Sequence, residues 1–160
     1  MKTIYYFCFI TCILILSSCG SMRVYTNPSS NYTRKTPITI NLSHDDESGT
    51  LGELQFLLQS NGYKLMSLAA AKKSLNLDSN YDIHNFHSEI TNTTTFNSMY
   101  VLDINYSYYY DLFHNAYTNF SATITDLSTG EIIMTATFRG NKSVRSVLNE
   151  LVQKMNKVIR

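Results

Sequence analysis

Between Tyr100 and Leu112 every even position is apolar or aromatic (Tyr100, Leu102, Ile104, Tyr106, Tyr108, Tyr110, Leu112), while the odd positions include Asp103, Asn105, Ser107 and Asp111. Successive side chains of a strand point to opposite faces, so a period of two kept over this run demands an extended strand with one buried face. The chain is thereby committed to a sheet that something apolar must cover. The same reasoning makes Tyr117 to Thr125 a strand with Phe120, Ala122 and Ile124 inward, and Glu131 to Arg139 another with Ile132, Met134, Ala136 and Phe138 inward. Asp126-Leu127-Ser128-Thr129-Gly130 is the turn between them, Gly130 being free to take a positive φ. In the long strand, alternation sends Tyr106, Tyr108 and Tyr110 toward the cover and leaves Tyr109 outward.

The cover is also readable. After Gly140, Asn141 or Ser143 can cap a helix whose Val144, Val147, Leu148, Leu151, Val152, Met155, Val158 and Ile159 form one apolar stripe. Upstream, Ile38 to Leu42 alternates as a short strand. Thr50 and Glu53 then fit a capping box opening a helix with Leu51, Leu54, Leu57 and Leu58 on one face, closed by Asn61-Gly62. Tyr63 to Met66 reads as a second strand. Ser67 caps a shorter helix through Leu68, Ala71, Lys72 and Leu75, and residues 76–95 hold the least order, with a strand near Asp82 to Phe86. The expected fold class is α+β: a two-layer sandwich in which a mixed sheet with a three-stranded antiparallel meander is covered by an N-terminal and a C-terminal helix.

The N-terminus carries a different kind of signal. One positive charge, Lys2, precedes the apolar run from Ile4 to Leu16, which is shorter than the ~20 apolar residues a membrane-spanning helix needs and suits a signal-peptide core. Small residues Ser17 and Ser18 then precede a thiol, Cys19. Leu16-Ser17-Ser18-Cys19-Gly20 closely resembles the lipobox read by the lipoprotein signal peptidase. That resemblance implies a diacylglycerol thioether on Cys19, cleavage before it, and a third acyl chain on the new N-terminus. An uncleaved N-terminal anchor and a plain secretory signal cut elsewhere are the alternatives. By resemblance to lipoprotein sorting rules, Gly20 is not the aspartate that retains lipoproteins in the inner membrane. Residues 20–24 do not resemble the acidic run that exports others to the surface, so the expected place is the outer membrane, facing the periplasm.

The expected organisation is a signal peptide over residues 1–18, a lipidated N-terminus and flexible tether over 19–37 and a single domain over 38–160. The Ser, Asn, Thr and Pro content after Gly20 is what suggests the tether. Removing 18 residues from 160 leaves 142, enough to bury a core without staples. All three cysteines (Cys8, Cys12, Cys19) lie in the signal or at the anchor, so the domain has no disulfide to rely on. Loss of Lys2 from 13 basic residues leaves 12 against 12 acidic ones, a balance that argues against electrostatic capture of nucleic acid or anionic lipid.

The element order resembles a group of bacterial envelope lipoproteins. In that group are short-tethered lipoproteins of unknown function, the penicillin-binding-protein activators, the N-terminal domain of the Tol-system propeller protein and the curli secretion-channel subunit. The resemblance rests on Leu54 to Tyr63, Tyr100 to Tyr110, and Ile124 to Ile133 followed by an amphipathic helix. No catalytic residue carries over from the group.

Candidate chemistry is sparse. His84 and His87, three apart and beside Asp82 and Glu89, are the one cluster with a metal-ligand look, but no second ligand pair or H-E-x-x-H spacing accompanies them, so a polar loop or strand edge accounts for them. His44 beside Asp45, Asp46 and Glu47 reads as a solvated loop. Serines lack G-x-S-x-G or S-x-x-K context, Ser143 to Ser146 reads as a helix start, and Asp103 and Asp111 lie on the outward face without forming an evident acid and base pair. The expectation is a non-enzymatic, membrane-anchored domain without cofactor or metal, which binds or scaffolds an envelope protein. Cys19 would be its lipid attachment and Tyr109, the polar strand face and an edge strand its contact surface. The alternatives are an oligomeric structural subunit of an envelope assembly and, more remotely, a cell-wall hydrolase.

Overall fold

The computed structural model describes residues 20–43, 45–46, 48–68, 100–110 and 115–159. The expectations on Cys19, His44, Asp82, His84, His87, Glu89, Asp111 and Leu112, on the helix through Ala71 to Leu75 and on the strand near Asp82 lie outside those residues. The elements are β1 (Arg23–Thr26), β2 (Ile38–Leu42), α1 (Thr50–Ser60), β3 (Leu65–Met66), β4 (Tyr100–Tyr110), β5 (Asn115–Asp126), β6 (Glu131–Ser143) and α2 (Val144–Val158). They form one mixed sheet in the order β1-β6-β5-β4-β2-β3. β4, β5 and β6 are the antiparallel meander, β1 adds antiparallel to β6, and β2 runs parallel to both β3 and β4. The fold is the expected two-layer α+β sandwich, its core drawn from the inward rows of the sheet (Ile38, Leu102, Ile104, Ile124, Met134) and from Leu54, Leu58, Leu148 and Leu151 of the helices.

The two helices end as backbone chemistry requires, though α1 does not begin as expected. Thr50 and Glu53 do not form a capping box. Gly49 occupies the cap position with φ 72°, and the Asp46 carboxylate accepts the amides of Thr50 at 2.7 Å and Leu51 at 2.8 Å. Thr50 is buried and turns its hydroxyl to Tyr117 and Ser48, while Glu53 faces Arg145 at 3.3 Å. A local motif therefore lost to a longer-range acceptor carrying full charge. At the other end Gly62 takes φ 82° and Tyr63 donates back to the Leu58 carbonyl, closing the helix as Asn61-Gly62 suggests. α2 starts at Ser143, whose Oγ accepts the Ser146 amide at 3.4 Å.

Three inward assignments are corrected. Tyr110 is 72% exposed, because Thr50 at the start of α1 already reaches Tyr117, the cross-strand partner of Tyr108, and the helical layer stops there. Ile132 is 55% exposed: Ile124 pairs with Met134 but Thr125 pairs with Ile132, so Ile133 is an extra residue that enters the core in its place. Val158 is exposed and Ile159, in extended backbone just after the helix, is buried instead.

The largest correction concerns residues 20–37, which are part of the domain and not a loose tether. Arg23 to Thr26 pair with Thr137 to Met134 as the edge of the sheet, and Met22 is 2% exposed in the core. Tyr32 is buried against Tyr100, ring centroids 4.6 Å apart. Arg34 donates to the carbonyls of Asn156 at 2.7 Å and Ile159 at 3.2 Å, placing a cation on the negative end of α2. Polar composition concealed these three docking side chains.

Candidate functional site

The first described residue, Gly20, sits against β6 with no room for a side chain. A Cβ there would stand 2.0 Å from the Arg139 carbonyl oxygen. The facing residue is also glycine, Gly140, at φ 155°, and a Cβ on it would meet the Gly20 backbone at 3.3 Å. Gly140 lies where the ladder slips, Tyr117 pairing with Lys142 and Asn119 with Arg139, so that β6 spends one more residue than β5. Two residues on, the Met22 amide donates to Glu150 Oε1 at 2.9 Å, and Glu150 Oε2 holds Lys142 Nζ at 2.8 Å. Burial pulls the Glu150 carboxyl upward, but the Lys142 and Met22 hydrogen bonds outweigh it and hold the group below the usual carboxylate range. The chain is thus locked to the sheet from the residue directly after Cys19.

Helices cover one face of the sheet. On the other face, the end nearest Gly20 is open and polar: Asn105, Ser107, Asn119, Ser121, Thr137 and Arg139 line a shallow depression of about 400 Å³. Thr118 Oγ1 donates to the Ser107 carbonyl at 3.2 Å and Ser121 Oγ to the Asn105 carbonyl at 3.4 Å, so several of these groups already have internal partners. Farther along, Asp103 accepts from Asn41 Nδ2 at 2.7 Å, and the face closes over Thr39, Val101 and Thr125. Tyr109 stands at the end of the open row, 37% exposed and paired with Ala116, with Tyr110 beside it. The outward placement of Tyr109 agrees with the alternation.

Beneath the helices lies a second polar group. Asp46 accepts from the Tyr106 hydroxyl at 3.3 Å, and Ser48 Oγ is 3.2 Å from the same oxygen. Burial pushes the Tyr117 and Tyr32 hydroxyls up, and Tyr63 to about 12, its burial opposed by Arg34. These phenols stay protonated through the neutral range. Among the described residues no three His, Cys, Asp or Glu side chains converge to hold a metal ion, and no helix is long and apolar enough to cross a membrane.

Sequence reasoning overlooked the paired glycines and Tyr110. A lone glycine inside a strand pattern, as at Gly140, is the available sign of a bulge or close backbone approach. No sequence signal marks where the helical layer ends over β4.

Among the described residues these features define a two-layer α+β sandwich with an open polar stretch on the sheet face away from the helices and a clamped N-terminal edge. No family model matches the chain, and no curated protein matches it in sequence. Among solved structures it is similar to the PelC dodecamer of Paraburkholderia phytofirmans, at 13% identity and TM-score 0.49 over 88% of this chain and 99% of that one. It is similar to lipoprotein GNA1162 of Neisseria meningitidis at 19% identity and TM-score 0.38, over 76% of this chain and 96% of that one. TolB of Acinetobacter baumannii matches at 11% identity and TM-score 0.43, over 86% of this chain but 31% of its own length. No residue role passes from them to this chain.

Proposed function

We propose that this chain is a bacterial outer-membrane lipoprotein, cut before Cys19 and acylated there, whose non-enzymatic domain faces the periplasm and binds or scaffolds another envelope protein. The observation that carries the reading is the junction: a lipobox-like segment ends at Cys19, and the folded domain begins with Gly20, clamped on Gly140. Each methylene buried in a bilayer contributes about 0.8 kcal/mol, so several acyl chains make attachment durable. The open row from Asn105 to Arg139 and the edge strand β1 supply backbone and amide groups suited to a protein partner, with Tyr109 at their margin.

Substitution Cys19→Ser tests the anchor. Fatty-acid labelling should disappear and the chain should leave the membrane fraction or remain unprocessed; unchanged labelling refutes the assignment. Crosslinking in intact membranes should then capture one discrete envelope protein with the wild-type chain. A detergent-stable ring of this chain alone would replace that role with a structural one.

A further inference from the structure

The sheet end that receives Gly20 is also the end where β4 finishes. β1 runs away from it toward Thr26, and β6 arrives at it with Arg139 to Ser143. Register carries this end across the sheet, Lys142 lying opposite Tyr117 and Tyr117 opposite Tyr108. From Gly20 to β4 is three strand spacings, about 14 Å at about 4.8 Å each. Along the strands, Tyr110 lies about three residues beyond the level of Gly140, or about 10 Å. The tip of β4 therefore reaches beyond the level at which Gly20 meets β6.

We propose that Tyr109 and Tyr110 form a membrane-contact site that sits in the lipid headgroup layer of the bilayer holding the chain. The proposal rests on acylation of Cys19 and names the partner of that end of the domain. One peptide unit spans at most about 3.6 Å, so an anchor on Cys19 is joined to the clamped Gly20 by a link no longer than that. A domain on a long tether could face any direction; this one cannot. The headgroup layer is about 6 Å thick on each side of a hydrocarbon core of about 30 Å, so an overhang of about 10 Å enters it whenever the acyl chains are inserted.

The side chains suit that depth. A tyrosine presents an apolar ring and a wet hydroxyl, the combination favoured at membrane interfaces. Tyr109 projects to the open face and Tyr110 to the helical side, 37% and 72% exposed, so the strand tip offers an aromatic ring on each side. Exposure alone does not single them out, because Tyr25 is 71% exposed. Tyr25 lies opposite Thr135, however, and register carries that level through Thr123 to Asp103, seven residues short of Tyr110 and so about 23 Å from the overhanging end. Geometry separates two equally exposed tyrosines into one at the bilayer and one away from it.

The chain contains no tryptophan, so Tyr110→Trp and Tyr25→Trp each introduce a single reporter. The full chain, processed and purified, is placed in phosphatidylethanolamine and phosphatidylglycerol vesicles that include lipid brominated high on its acyl chains. Emission from Tyr110→Trp should shift to shorter wavelength and fall roughly two-fold on bromination, whereas that from Tyr25→Trp should not change. Tyr109→Trp is the second reporter and should follow Tyr110→Trp. Equal, unquenched emission from all three variants, with mass spectrometry showing the acyl groups and the vesicles retaining the protein, overturns the contact site and leaves the anchor standing. An unacylated chain that stays in solution overturns both.

Discussion

Replacing Met22 by alanine tests whether the segment after Cys19 belongs to the domain. Met22 is 2% exposed and lies within the core cluster, one residue before β1. The substitution removes three heavy atoms, each costing about 0.8 kcal/mol in lost burial, or about 2.4 kcal/mol together, before any term for the space left behind. Buried Met→Ala changes cost about 2–5 kcal/mol, and a site next to a chain end can relax by loosening, so the expected loss is about 2–3 kcal/mol. Urea unfolding of the processed chain in mild detergent, followed by far-ultraviolet circular dichroism, should show a lower midpoint with an unchanged slope. Tyr25→Ala, on the exposed side of the same strand, should stay within about 0.5 kcal/mol of wild type. A Met22→Ala loss no larger than that of Tyr25→Ala would falsify the docking of this segment and return it to the role of a tether.

Two further outcomes follow from the side chains that hold the ends together. The Glu150 carboxyl is depressed in the folded state, so its contribution is present above its unfolded pKa, about 4.3, and is lost as pH falls toward the folded value. Paired urea curves should show wild type more stable than Glu150→Gln at pH 6, with the gap closing below about pH 4; a gap independent of pH refutes the pairing. Asp46→Ala removes the acceptor for two amides at the start of α1 and should cost about 1–2 kcal/mol by thermal unfolding, with Asp46→Asn recovering part of it. No difference between Asp46→Ala and wild type means that α1 is capped otherwise.

Much of the sheet was legible because alternation is a local property. Tyr100 to Tyr106, Phe120 to Ile124 and Met134 to Phe138 show their buried face to anyone who counts by two. Alternation tells which side a residue faces and not how far the covering layer extends, so it assigns Tyr110 to the core although Tyr110 lies beyond the start of α1. A single inserted residue, Ile133, shifts Ile132 to solvent, and no composition rule marks its position. The docking of Met22, Tyr32 and Arg34 depends on Glu150, Tyr100 and the end of α2, partners distant in the chain and invisible to a local reading. For the candidate site, the outward face of Tyr109 was legible; the pairing of Gly20 with Gly140 at the same end of the sheet was not.

The bond between Met22 and Glu150 joins positions 128 residues apart, and β1 is synthesised long before the strand it must pair with. β6 is 13 residues long and is the last strand made, so until β1 docks its outer edge is an unpaired template open to other chains. Closure of that edge is therefore a late step, possible only once β6 has been made. Until then the outer edge of β6 is where this chain is most open to pairing with another copy of itself.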